Sequence, residues 1–236
     1  MSGRRGFVLL VVLACVAVPA GPASAEWFAD LYAGVAFTDS RTIDDVEPAA
    51  LFRLKDVDFD KSATFGGRVG YWFDAMPYFG LGIDAFHYEA NVSKQRIIEC
   101  DSPTPCGPDT LVPRDITVTA VSFDLMGRWP LLKSSEFPMG RLQPYATVGP
   151  TVFHSRLKDT THFVPPNQSE TDTTFGVKVG AGVTWLLLRN LALFGEYRFT
   201  HFGPTWNNIT DGTTWANVET MLNSHHLIFG LSFRFP

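Results

Sequence analysis

His154 and Ser155 place a base beside a hydroxyl nucleophile, the residue types of acyl transfer. Their spacing argues against that chemistry. They lie in a segment with strand-like alternation, where adjacent side chains point to opposite faces and cannot address one substrate. The six histidines, His87, His154, His162, His201, His225 and His226, are types suited to metal binding or to a pH response. All six fall at or near one end of the predicted strands, where a solvated surface histidine is the commoner explanation. The glycines of Gly176-x-x-x-Gly180-x-Gly182 do not make a phosphate loop, because no helix follows them. The expectation is a chain with no catalytic residues, no cofactor and no metal.

A second set of groups is more informative. Asp30, Arg68, Asp84, Asp124, Arg128, Lys178, Glu196, Arg198 and Arg234 are nine charges inside otherwise apolar segments. In Phe175–Trp185, the residues Phe175, Val177, Val179, Val183 and Trp185 alternate with Gly176, Lys178, Gly180, Gly182 and Thr184. After a short turn, Leu191, Leu193, Tyr197 and Phe199 alternate with Ala192, Phe194, Glu196, Arg198 and Thr200. A period of two is that of a β-strand. Each of the nine faces away from the large apolar residues of its own strand. Five are basic and four acidic, so interdigitated ion pairs within a narrow enclosure are the expected arrangement.

Eight segments carry the alternation: Trp27–Asp39, Ser62–Phe73, Phe79–Glu89, Ile116–Trp129, Leu142–Ser155, Thr173–Leu186, Leu191–Phe202 and His225–Phe235. Most exceed the usual soluble strand of about five or six residues. They suit a tilted strand crossing a bilayer, which needs roughly nine to eleven. Leu142–Ser155 is assigned by topology, since neither face is clearly polar and Pro144 and Pro150 remove ladder donors. Asp74–Tyr78 and Leu187–Asn190 are tight turns, and Leu131–Arg141 is longer. Ser40–Lys61, Val92–Asp115, Arg156–Asp172 and Gly203–Ser224 are long polar connections. Short turns alternating with long loops are the topology of an outer-membrane barrel, and an even strand number puts both termini at the short-turn end.

Aromatics gather at the strand ends. Trp27, Trp72, Phe73, Trp129, Tyr145, Trp185 and Phe235 mark the short-turn side. Phe37, Phe65, Phe86, Tyr88, Phe153, Phe175, Phe199 and Phe202 mark the long-loop side. Two aromatic girdles are expected at the two membrane interfaces. The fold class expected is therefore all-β, an eight-stranded antiparallel up-and-down transmembrane β-barrel. Its apolar side points out, and its lumen is just wide enough for side chains to fill. Glycines on the inner face, among them Gly66, Gly70, Gly80, Gly82, Gly182 and Gly230, are expected to make room for long Arg and Lys.

Arg4 and Arg5, the apolar run Phe7–Val18 and Ala23-Ser24-Ala25 read as a secretory signal peptide, residues 1–25, with a single barrel domain over 26–236. The expected destination is the outer membrane of a Gram-negative cell, reached by the Sec route. No later stretch offers the roughly 18 apolar residues of a transmembrane helix. Net charge is −5, which argues against a nucleic-acid partner. Cys100 and Cys106 flank a five-residue segment and read as a loop disulfide in an exported protein.

Gly70-Tyr71-Trp72-Phe73, Gln143-Pro144-Tyr145, the pair Phe175–Trp185 and Leu191–Phe199, and the closing His226–Phe235 carry a family resemblance. Over Trp27–Phe235 the chain resembles the small eight-stranded outer-membrane β-barrel family, the OmpA transmembrane domain and OmpX/Ail type. That family usually ends on an aromatic residue read by the barrel-assembly machinery; here Pro236 follows Phe235. The resemblance implies a non-enzymatic monomer with surface loops, serving envelope structure, adhesion or surface interaction. Its implied partners are outer-membrane lipid and lipopolysaccharide, the assembly machinery, and an extracellular ligand at the loops. Two alternatives remain open, a narrow channel for small or hydrophobic solutes and a lipid A-modifying enzyme. The deacylases of the latter kind would show His-x-Ser, whereas His154 and Ser155 are adjacent.

Overall fold

In a computed structural model of the chain, residues 26–39, 41–46, 51–101, 106–111, 113–159, 169–210 and 215–235 are described. The predicted signal segment lies outside them, as do His162 and Pro236. Eight antiparallel strands close into a barrel: β1 (Glu26–Thr38), β4 (Ser62–Trp72), β5 (Phe79–Glu89), β8 (Arg114–Arg128), β9 (Leu142–Asp159), β10 (Ser169–Leu188), β11 (Leu191–Phe202) and β14 (Leu222–Phe235). The circuit runs β1, β14, β11, β10, β9, β8, β5, β4 and back to β1. The first and last strands pair along their length, from Trp27 opposite Phe235 to Thr38 opposite Ser224.

Closure follows from the alternation. With Leu31, Val69, Leu81, Phe123, Val148, Val179, Leu193 and Leu231 exposed on one face, the sheet can only present that face to hydrocarbon. A lipid-facing sheet cannot leave an edge open, because no water reaches its unpaired N–H and C=O groups. The segment with two prolines obeys the same register. Pro144 and Pro150 stand opposite Val183 and Val177 of β10, and Pro150 faces outward. On the β8 side the ladder opens at Phe123 and Asp124, then resumes without a shift at Leu125 opposite Val148.

The long connections differ from the polar loops expected. Three of them fold into short strands: β2 (Arg41–Val46) and β3 (Leu51–Val57), β6 (Gln95–Asp101) and β7 (Gly107–Leu111), β12 (Thr205–Thr210) and β13 (Trp215–Thr220). These form a six-stranded sheet in the order β12-β13-β2-β3-β6-β7. The remaining long connection is shortened, because β9 and β10 run on to Asp159 and Ser169. The reason is burial. Ile43, Leu54, Val57, Ile97, Leu111, Trp206 and Val218 are buried in one cluster that continues into Ile116, Val118, Leu157, Phe202 and Leu222 of the barrel. A lone hairpin is marginal in water, whereas several strands sharing an apolar face are not.

Leu231 lies near the middle of the exposed apolar band on β14. Leu231→Arg should destabilise the barrel by about 2–4 kcal/mol, the cost of a cation near the bilayer midplane. Urea unfolding in lipid vesicles, followed by tryptophan fluorescence, measures it.

Candidate functional site

The lumen is filled in layers. Nearest the short turns, Glu26 accepts from Arg128 Nη1 at 2.5 Å and from Arg234 Nη1 at 3.4 Å. Arg128 also donates from Nε to the carbonyl of Pro77 at 2.8 Å, and its guanidinium lies 4.3 Å from the Trp72 ring centroid. Arg234 lies over Phe28 at 5.3 Å. A cation over an aromatic face is attracted by the ring quadrupole, the more so where water is excluded.

The middle layer crosses the barrel. Lys178 Nζ on β10 donates to Asp84 Oδ2 at 2.5 Å and to Asp124 Oδ2 at 2.6 Å. Arg198 Nη2 on β11 lies 2.8 Å from Asp84 Oδ2 on β5, four strands round the circuit and so on the opposite wall. The same guanidinium holds Glu196 Oε1 at 3.0 Å. Arg68 on β4 reaches Asp30 Oδ2 at 2.9 Å and Glu196 Oε2 at 3.0 Å. Two phenols complete the cluster. Tyr145 donates to Glu196 Oε2 at 2.8 Å, and Tyr32 donates to Asp84 Oδ1 while accepting from Arg198 Nη1. Ser122 Oγ donates to the remaining oxygen of Asp124 at 2.5 Å.

Above the ions the lumen turns aromatic. Phe86, Tyr88, Phe153, Phe202 and His226 are buried there. Phe153 and Phe202 stack with centroids 4.0 Å apart, and Tyr88 meets the His226 ring edge-on at 4.7 Å. Lys178 and Arg198 lie under the Phe86 ring, at 5.8 and 4.8 Å. The buried face of the six-stranded sheet follows without a break.

All nine charges singled out in the sequence are buried in this lumen. A tenth, Glu26, was missed, although it shares the parity of Phe28 and Asp30. With it the ten are five carboxylates and five cations; Arg114, on the same inner parity of β8, is buried as well. The girdle assignment divides. Trp27, Trp129 and Trp185 are exposed on the outer surface, and Phe73 and Phe235 are partly so. Trp72 and Tyr145 instead point inward, as do Phe86, Tyr88, Phe153 and Phe202. Each shares the inner parity of its own strand, as Trp72 shares that of Arg68. A lumen filled by side chains needs bulk as well as charge, and aromatic rings supply it.

The inner glycines mostly accommodate those rings and not the cations. A Cβ on Gly80 would meet Trp72 at 2.8 Å, one on Gly182 would meet Tyr145 at 2.7 Å, and one on Gly70 would meet Phe28 at 2.4 Å. Gly82, by contrast, sits beside an arginine stem, with Arg68 Cδ at 3.5 Å. His226 is likewise not at the rim; it is enclosed in the lumen, while His87, His154, His201 and His225 stay on the outer face. His154 is exposed and Ser155 buried, on opposite faces of β9. Among the described residues no group of three or more His, Cys, Asp or Glu is placed to hold a metal. Cys100 and Cys106 are joined as a disulfide across the β6–β7 hairpin.

A closed antiparallel barrel with apolar residues outside and paired charges inside is a transmembrane β-barrel of the outer-membrane type. The chain belongs to the outer membrane protein beta-barrel domain family, whose model matches residues 8–235. No curated protein matches it. Among solved structures it is similar to the outer membrane protein OprG from Pseudomonas aeruginosa, at 12% identity over 90% of this chain and 96% of that one, with a TM-score of 0.54. It is also similar to the outer membrane protein AlkL, at 14% identity over 93% and 94%, TM-score 0.51. Neisserial surface protein A matches at 13% identity over 92% and 100%, TM-score 0.50. At such identities the likeness shows the fold alone.

Glu196 accepts from Arg68, Arg198 and Tyr145. Glu196→Ala should cost about 3–5 kcal/mol, because it takes one carboxylate partner from each of two fully buried guanidinium groups. Asp39→Ala, which removes a partly exposed partner of His225, should cost less than about 1 kcal/mol. Urea titration of both refolded variants in the same vesicles gives the comparison.

Proposed function

We propose that this protein is a plugged outer-membrane anchor, without enzymatic activity, that holds a folded β-sheet outside the cell as a contact surface. The observation that carries the proposal is the Arg198–Asp84 pair at 2.8 Å between opposite walls, roofed by the Phe153–Phe202 stack. Ion pairs spanning the lumen make a crossbar, and the aromatic layer leaves a hydrated path no continuation. In barrels of this type the long connections face outward and the short turns face the periplasm. The six-stranded sheet then stands outside, tied at the β6–β7 hairpin by Cys100–Cys106.

A folded sheet on an anchored barrel suits adhesion or another surface interaction better than a set of mobile loops, because it binds without first ordering itself. The proposed partners are outer-membrane lipid and lipopolysaccharide around the barrel, the barrel-assembly machinery during biogenesis, and an extracellular molecule at the sheet. The protein acts in this scheme as a monomer. The apolar upper lumen favours a second reading, a narrow path for hydrophobic solutes.

Planar-bilayer recording separates the two from a hydrophilic pore. The wild-type barrel should show no conductance steps. Arg198→Ala combined with Phe86→Ala removes the crossbar and the ring above it, and should give resolvable steps. Open steps in the wild type would sink the anchor. A silent wild type that nonetheless speeds entry of a hydrophobic dye into vesicles would favour the second reading.

A further inference from the structure

The connection between β8 and β9 is longer than a hairpin turn requires, since about two to five residues suffice. Leu131 and Leu142 exchange backbone hydrogen bonds at 2.8 and 3.2 Å, which closes the chain between them into a loop. Leu132 and Gly140 stand at its neck in the left-handed conformation, with φ of 55° and 82°. There the Arg141 N–H donates to the Leu132 carbonyl at 3.2 Å. Ser134 fixes a turn inside the loop. Its N–H donates to the Phe137 carbonyl, and its Oγ accepts from the Phe137 N–H, each at 3.1 Å. A compact loop with its ends together is ordered by its own side chains.

The loop is folded against the short-turn mouth of the barrel. Residues 131–136 are exposed, whereas Phe137 is buried. Its ring packs on Leu186 and Ala192. These two are cross-strand neighbours on the lumen face of β10 and β11, at their short-turn ends. The lower ion layer, Glu26 with Arg128 and Arg234, belongs to β1, β8 and β14. On the β10–β11 side an apolar ring takes its place. Gln143 on β9 joins the two parts of this floor. Its Oε1 accepts from Arg128 Nη1 at 3.4 Å, and its Nε2 donates to the carbonyls of Met139 and Gly140, each at 3.0 Å. The Arg141 guanidinium lies 5.3 Å from the Phe137 centroid and 5.4 Å from that of Trp185, and its Nε donates to the Leu186 carbonyl at 3.2 Å.

We propose that the β8–β9 connection is a stopper for the periplasmic mouth: Phe137 seats in the floor of the lumen, and its withdrawal about the Leu132–Gly140 neck opens the lumen from below. The inference rests on reading the lumen as plugged and the short turns as periplasmic. The Arg198–Asp84 crossbar blocks the barrel at mid-height, and the stopper blocks it separately beneath. A hydrophobic solute that passed the upper lumen would still meet a closed floor. Unseating Phe137 breaks no hydrogen bond of the barrel ladder, and segments held by few buried contacts are those that open first. Residues at such a neck absorb the backbone change when a loop moves. Gly140 is essential to the seated form. A Cβ there would meet the Leu131 carbonyl oxygen at 2.4 Å, and its φ is one that L side chains rarely adopt. A side chain at this position therefore unseats the loop without touching the wall.

The test is thiol labelling of the full chain refolded in detergent, with a small methanethiosulfonate as the reagent. Thr184→Cys reports on the floor, one inner position above Leu186, and Ser224→Cys reports on the upper lumen; both parent side chains are buried. Cys100 and Cys106 are joined to each other, and the chain without a reporter gives the background. Thr184→Cys should label slowly, and adding Phe137→Ala should speed it about tenfold or more, as expected when a seated ring no longer has to open first. Gly140→Ala should act in the same direction. Lys133→Ala, on the exposed part of the loop, should change nothing. Ser224→Cys should keep its rate in every background. Unchanged Thr184→Cys labelling in both Phe137→Ala and Gly140→Ala overturns the proposal, as does fast labelling of Thr184→Cys in the otherwise unaltered chain. Acceleration at both reporters supports the stopper and instead sinks the crossbar between the two halves. Heat-modifiable gel mobility verifies that each variant is a closed barrel.

Discussion

Eight strands close on an interior that side chains must fill themselves, and the rest of the structure answers to that constraint. The wall has to be apolar outside and hydrogen-bonded throughout, so every second residue is committed to lipid. What remains points into an enclosed lumen. Charges there are tolerable only if each finds partners, and Arg198, Lys178, Arg68, Asp84 and Glu196 do so by reaching across the lumen. The pairs therefore tie walls together that the backbone ladder joins only at their edges. Their net worth against an apolar filling is small, but losing one member would leave its partners buried and uncompensated.

The same constraint explains the layering. Five carboxylates and five cations occupy the short-turn half and the middle, where Tyr32 and Tyr145 add phenol donors to Asp84 and Glu196. Above them the filling is aromatic, and glycines opposite the rings provide the clearance. Because this upper layer is apolar, it can merge with the buried face of the six-stranded sheet. The protein thus has one continuous interior from the lower ion layer to the outside sheet. Barrel and sheet support each other: the barrel anchors three pairs of short strands, and the sheet roofs the barrel.

Much of the barrel was legible in the sequence. β5 and β11 begin and end where alternation puts them, and β9 follows by topology despite its two prolines. The closed eight-stranded fold and the outward direction of the apolar face followed from period, strand length and loop asymmetry. The aromatic residues were less legible. Trp and Phe near a strand end suit a membrane girdle and a lumen filling equally by type, and only their parity separates Trp27 from Trp72. The outer sheet was not legible at all. Its strands are five to seven residues long, with Asp, Asn and Thr interspersed, and their apolar positions show purpose only once six of them share one face.

The sequence by itself determined the wall: a period of two is local, and any strand long enough to cross a bilayer must obey it. Parity likewise decided which charges share a face, since it depends only on counting residues along one strand. The partners were decided by the tertiary structure alone. Arg198 meets Asp84 because closing the barrel places β11 and β5 opposite each other, a relation that no spacing along the chain contains. The outer sheet arose the same way, from connections far apart in sequence that closure gathers above one mouth.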